Sequence, residues 1–427
     1  MKVKLVLFFI VLFYHSVSGA LATMVFPSAE RLFRVITFSA DGLMLLLALT
    51  ACWPRRRFYG VHFFLAFTLF AVVTFLYNVD RFGLMEHLNG LRDPLYFFTS
   101  LIVLYDLFES RFRHSLITWF TVFVIVYAVL EIPVTLYQFL KFGASDAVGG
   151  LYGTGGGSGF MTQSLFLIVF YLIVRFASGE EGEHFKASRA LFIVPLLLPC
   201  ALNETKISFV LLAGLLLLMT SSLRQVYRTI PFLALGAILF FLLNYYYSTT
   251  AEDTRDIFDL DYLQKYLFTN QTEVGGDLPR FQRLVIMFRM MGSDVGAILF
   301  GMGYGLFGGG NIMGVSRLGK AVYYLVTGSR ILLFRVWVQG GLLAVIVIAG
   351  ASLGYLRSKV EKYFTLRRLG LFVLFSLLIV WFYDEALLDR VFAPIIGFLM
   401  LWVRSGGLLS EQSEEGDENE EGQRAHA

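Results

Sequence analysis

The chain has 427 residues, 57% of them hydrophobic, with 44 Phe and 21 Tyr and only 16% charged residues. Soluble domains carry about 25% charge, and a soluble chain of this makeup would expose too much apolar surface. The mean hydropathy of +0.69 excludes a soluble globular enzyme, a disordered protein and a nucleic-acid-binding domain. Long unbroken apolar blocks, rather than short alternating strands, argue against a transmembrane β-barrel. The expected fold class is an all-α polytopic membrane protein.

The first apolar run, Leu5 to Ala29, follows Lys2 and Lys4. Ser18-Gly19-Ala20 could imitate a signal-peptidase site, but the run can span a bilayer and a second span follows at once. It reads as the first membrane helix. Twelve spans are expected, near 5–27, 34–53, 59–78, 94–109, 115–139, 159–177, 189–202, 206–222, 229–247, 333–355, 369–386 and 389–404.

Four basic clusters fall on one side of this arrangement: Arg55–Arg57, Arg111 with Arg113, Arg224 with Arg228, and Arg357 through Arg368. The positive-inside rule makes that side cytoplasmic and puts both termini there. The opposite side receives 79–93, 140–158, 203–205 and a segment from about 248 to 332. That segment balances eight acidic against eight basic residues from Ser248 to Arg330. Long structureless connections are rare unless they have a function. The chain therefore divides into N-terminal membrane helices (1–188), a central part (189–356) containing the external loop 248–332, C-terminal membrane helices (357–404) and a tail (405–427). Seven acidic residues and no basic one lie between Glu411 and Glu421, so the tail reads as a solvated appendage.

Four polar constellations interrupt the apolar pattern. Asn203-Glu204-Thr205-Lys206 breaks a long apolar stretch at an external turn. Charged groups at such depth line cavities or, as a plainer reading, snorkel to the interface. Arg280 and Arg283 are three apart and share a helix face, an arrangement suited to phosphate or simply to a solvated surface. Gly301-Met302-Gly303-Tyr304-Gly305 permits close backbone approach but is neither a P-loop nor a dinucleotide fingerprint. A second glycine loop occupies 149–157. Arg92-Asp93 follows Leu88-Asn89-Gly90-Leu91; its plainer reading is an ion pair between Arg92 and a nearby acid. Asp41 and Glu131 lie inside expected spans and could mark a proton or ion path. None of the six histidines lies in the long loop, no HExxH occurs, and no metal or cofactor is expected.

The order of these motifs resembles the bacterial O-antigen polymerase and ligase family, over about Leu191 to Ile348. The resemblance rests on the polar break 203–206, then Arg280-Phe281-Gln282-Arg283, then Leu299-Phe300-Gly301-Met302-Gly303-Tyr304-Gly305. It closes with Trp337-Val338-Gln339-Gly340-Gly341-Leu342-Leu343. Two departures stand out. Thr205-Lys206 replaces the Ser-Arg common at the break, and Thr327-Gly328-Ser329-Arg330 lacks the histidine typical of ligases, which favours a polymerase.

The resemblance implies a GT-C-type membrane glycosyltransferase making O-antigen, capsule or exopolysaccharide for the cell envelope. Its donor would be a polyprenyl-pyrophosphate-linked oligosaccharide, used without metal or cofactor at the external face of the bacterial inner membrane. Arg280, Arg283 and Lys206 would hold the pyrophosphate, with Glu204 as base, and Arg92, Arg330, Gly303 and Tyr304 would contact substrate. Expected partners are membrane lipids, a flippase and a chain-length regulator, with no nucleic acid. The alternatives are a ligase-type transferase or a lipid-linked oligosaccharide flippase or transporter.

Overall fold

In a computed structural model the described residues are 2–52, 59–143, 145, 147–154, 157–177, 192–203, 205, 207–219, 280–292, 294–306, 331–354 and 364–405. All their regular structure is helical. The helices are α1 (Lys2–Ala20, prolonged by a π turn over Leu21–Val25), α2 (Glu30–Cys52), α3 (Tyr59–Tyr77), α4 (Leu84–Phe108), α5 (Arg113–Phe142) and α6 (Ser158–Ala177). They continue with α7 (Leu198–Leu202), α8 (Ile207–Met219), α9 (Arg280–Met291), α10 (Val295–Phe300), α11 (Leu332–Gly354), α12 (Phe364–Tyr383) and α13 (Phe392–Arg404).

Among the described residues, six helical segments are long and apolar enough to cross a membrane: Lys2–Val25, Pro27–Cys52, Arg113–Phe142, Ser158–Phe176, Leu332–Gly354 and Leu366–Tyr383. Three more expected spans appear as shorter apolar helices, Val61–Tyr77, Ile207–Met219 and Phe392–Arg404. The expected span 94–109 forms the second part of α4, whose first three turns carry Glu86, Arg92 and Asp93. Over 189–202 the described residues form two short pieces, a 3₁₀ turn (Val194–Leu197) and α7. Pro195 and Pro199 each remove a backbone donor there. The expected span 229–247 lies outside the described residues.

Large apolar side chains face outward in helical register. On α3 they are Leu65, Leu69, Val72 and Leu76, each more than half exposed. Such a stripe is costly in water and ordinary in lipid. Inside, α13 is buried on every side from Phe392 to Val403. It packs against α4, α6 and α12, and Phe398 stacks on Phe120 of α5 with ring centroids 3.5 Å apart.

Polar ties define one end of the bundle. Lys4 at the start of α1 pairs with Asp106 at the end of α4 at 2.7 Å. Arg113 at the start of α5 donates to the Ser405 carbonyl after α13. Arg368 near the start of α12 donates to the Leu218 carbonyl near the end of α8.

Candidate functional site

Far from that end, charged side chains from five elements meet. Arg390, in the turn before α13, holds both oxygens of Asp41 on α2. Its Nε lies 2.9 Å from Oδ1 and its Nη2 3.0 Å from Oδ2. The same Nη2 donates to Asp93 Oδ1 on α4 at 2.7 Å. Arg335 on α11 takes the other Asp93 oxygen at 2.6 Å and reaches Glu385 Oε2 at 3.0 Å. Arg92 Nε lies 3.0 Å from Asp41 Oδ2, and His15 Nε2 on α1 lies 3.3 Å from Oδ1.

This network lies deep. Asp41 precedes Cys52 by eleven residues and His15 follows Lys4 by eleven, so both stand roughly 16 Å along their helices from the basic end at 1.5 Å per residue. The hydrocarbon core is about 30 Å thick. Beyond Asp41, α2 runs on to Glu30. The ions therefore occupy a recess inside the membrane-crossing bundle rather than its surface.

The charges compensate one another. Three guanidiniums face Asp41, Asp93 and Glu385. In a poorly screened interior such pairs persist because every charge has a partner. Asp41 and Asp93 together supply the Arg390 guanidinium with countercharge. Arg92 differs from the other two arginines. Its side chain is 29% exposed, its guanidinium lies over the Phe38 ring at 5.7 Å from the centroid, and among the described residues only its Nε meets a carboxylate.

The turn carrying Arg390 is held from several directions. Asp389 Oδ1 accepts the Val391 and Phe392 N–H groups at 2.8 and 2.9 Å, capping α13. Tyr152, from the glycine loop 149–157, donates to the same oxygen at 3.0 Å. Gln163 on α6 donates to Asp384. The residue before Gln163, Thr162, accepts from Asn203 at 2.8 Å, so Asn203 joins the same belt. Within that motif Asn203 and Thr205 are buried, and Asn203 Oδ1 caps the Thr205 N–H.

The two glycine motifs of the central part fit into each other. Helix α11 is broken at Gly341, where φ is +73°. Met302 and Gly303 donate their N–H groups to the Val338 and Gln339 carbonyls, at 2.6 and 3.1 Å. Gln339 Nε2 returns a bond to the Tyr304 carbonyl at 3.1 Å. Broken helices in membranes need such replacement partners. A Cβ at Gly341 would collide with the Leu299 carbonyl, and one at Gly90 with the Tyr304 carbonyl. The Tyr304 ring is buried edge-on against Phe67 and His87. Gly303 and Tyr304, expected at the substrate, thus pack on protein.

Of the other expected site residues, Arg280 and Arg283 lie on α9. Arg283 on α9 is buried. Its helix packs on α11, with Phe288 edge-on to Trp337 at 5.0 Å. Arg280 starts α9. Glu204, Lys206 and Arg330 lie outside the described residues. The plainer reading of Arg92, an ion pair, is present. Reading the sequence missed Arg335, Arg390, Glu385 and His15. A lone Arg within the apolar run Ile331–Val338, and the charged turn Asp384-Glu385 to Asp389-Arg390 between two spans, were the available signals.

No family model matches the chain, and no curated protein matches it in sequence.

Proposed function

We propose that this chain is a polysaccharide repeat-unit polymerase of the bacterial inner membrane. In this reading it has twelve spans in a GT-C-like arrangement, with both termini in the cytoplasm. Its glycosyl donor is a polyprenyl-pyrophosphate-linked oligosaccharide. The observation that carries the reading is the recessed ion network beneath the outer part of α2, with Arg92 its most open cation.

In this reading the donor's pyrophosphate reaches into the recess, where Arg92 is the most exposed of the three arginines. Arg390 and Arg335, fixed by Asp41, Asp93 and Glu385, supply a preorganised positive field behind it. The acceptor hydroxyl oxygen bonds to the anomeric carbon as the bond from that carbon to the pyrophosphate oxygen breaks. The pyrophosphate leaves with the electron pair, and a carboxylate takes the hydroxyl proton. Following the family resemblance, Glu204 is assigned that proton, and Arg280, Arg283 and Lys206 share the pyrophosphate charge. The apolar groove bordered by Phe9, Ile10, Phe13, Val17 and Trp119 offers room for an isoprenoid chain.

Purified protein supplied with a single repeat unit on polyprenyl pyrophosphate tests this. Wild type should build longer glycans. Arg92→Ala should lose extension while remaining folded, and so should the Arg280→Ala/Arg283→Ala double variant. Wild-type-like extension by Arg92→Ala would remove the recess from the mechanism.

One observation favours a second reading. His15 and Asp41 lie midway along two membrane-crossing helices, the depth at which transporters bind substrate. A lipid-linked oligosaccharide flippase would move repeat units across the bilayer without lengthening them.

A further inference from the structure

Glu131 lies in the middle of α5 and is completely buried. One carboxyl oxygen, Oε2, accepts the Leu151 N–H at 2.9 Å. The other, Oε1, has no hydrogen-bond partner. The ionisable groups facing it are Tyr127 on its own helix, Tyr152 in the glycine loop, Asp389 in the turn before α13 and Cys200 on α7. On α6 its neighbour is Met161, which also crowds Gly150. Among the described residues no cation faces Glu131 and it enters no ion pair.

This contrasts with Asp41, which is also buried in a membrane-crossing helix but meets two arginines and a histidine. A carboxylate without a countercharge in the bilayer interior is far more costly than a neutral acid. The Tyr127 hydroxyl, one turn away, interacts with the carboxyl but brings no positive charge. A bound proton removes the charge that nothing else here compensates.

We propose that Glu131 is a proton-binding site inside the membrane and that its bound proton seats the glycine loop. The loop fits the carboxyl closely: a Cβ at Gly150 would run into Oε2. Gln138 clamps the same glycine, accepting its N–H at 2.7 Å and donating to its carbonyl at 2.9 Å. The seated loop carries Tyr152 to Asp389, next to Arg390. Loss of the proton places a bare charge against Gly150 and Leu151 and unseats the loop. This assignment is independent of the transferase reading.

Two measurements on the full-length protein in detergent test it. A hydrophobic carbodiimide reacts with protonated carboxyls in apolar surroundings, and its adduct is located by peptide mass spectrometry. Wild type should be modified at Glu131 and not at Asp41, with modification declining as pH rises; Glu131→Gln should yield no adduct on that peptide. The second measurement is Tm against pH for wild type and Glu131→Gln, which mimics the neutral acid. A carboxyl that binds its proton more tightly when folded stabilises at low pH, and that contribution falls as pH rises above its unfolded value. The Tm of Glu131→Gln should therefore gain on wild type steadily from mildly acidic to mildly alkaline pH. A Tm difference that stays flat with pH overturns the proposal. So does a Glu131 that resists the reagent in the folded protein but reacts once unfolded at the same pH.

Discussion

Arg390 grips Asp41 through two nitrogens although 349 residues separate them in the chain. The pair joins the last helix to the second and anchors the arginine that Asp93 also shares. Paired charges in an apolar interior are worth little beyond hydrophobic replacements, but stranding one of them is expensive.

Arg390→Leu should therefore cost about 3–5 kcal/mol, since it leaves Asp41 and Asp93 short of a cation. Arg390→Lys should recover only part, because an ammonium cannot reproduce the planar fork. Adding Asp41→Leu to Arg390→Leu should cost less than the sum of the single variants, as coupled sites do. Denaturant or thermal unfolding in detergent reads all three.

The glycine contacts give a steric prediction. Gly341→Ala meets the Leu299 carbonyl at a positive φ, and Gly90→Ala meets the Tyr304 carbonyl. Each should destabilise by about 1–3 kcal/mol or more. Gly42 on α2 has open space around its Cα, so Gly42→Ala should be neutral or gain up to about 1 kcal/mol from helix propensity. Tm values of the three variants, measured side by side, separate close packing from a general intolerance of substitution.

Asp389 caps α13 through a side-chain oxygen. Asn keeps the acceptor oxygen and is as good a cap. Asp389→Asn should therefore keep the Tm near wild type. Asp389→Ala should lose about 0.5–2 kcal/mol for the cap, plus the bond to Tyr152. Equal loss in both variants would mean that the charge, not the acceptor, matters there.

Composition and long apolar blocks made the helical membrane class legible, because each spanning helix must satisfy its backbone internally. Arg92 and Asp41 were noticeable as charges near or within apolar runs. Their partners were not, since Asp41 meets a residue of the final turn and no sequence spacing encodes that meeting. The two glycine motifs were visible as strings, but only packing showed that one fills the break in α11 made by the other. Pro195 and Pro199 were also plain in the sequence, yet the count of apolar residues across 189–202 outweighed them and suggested a continuous span.

The central claim is that the Arg92 recess acts on lipid-linked repeat units. The most direct measurement is mass spectrometry of lipid-linked glycans, with the surface polysaccharide profile, in a deletion strain complemented by wild type or Arg92→Ala. Single repeat units should accumulate on polyprenyl pyrophosphate at the external face in the deletion and with Arg92→Ala, and long polymer should return with wild type. Repeat units held at the cytoplasmic face, or long polymer built up on the carrier lipid, would contradict it.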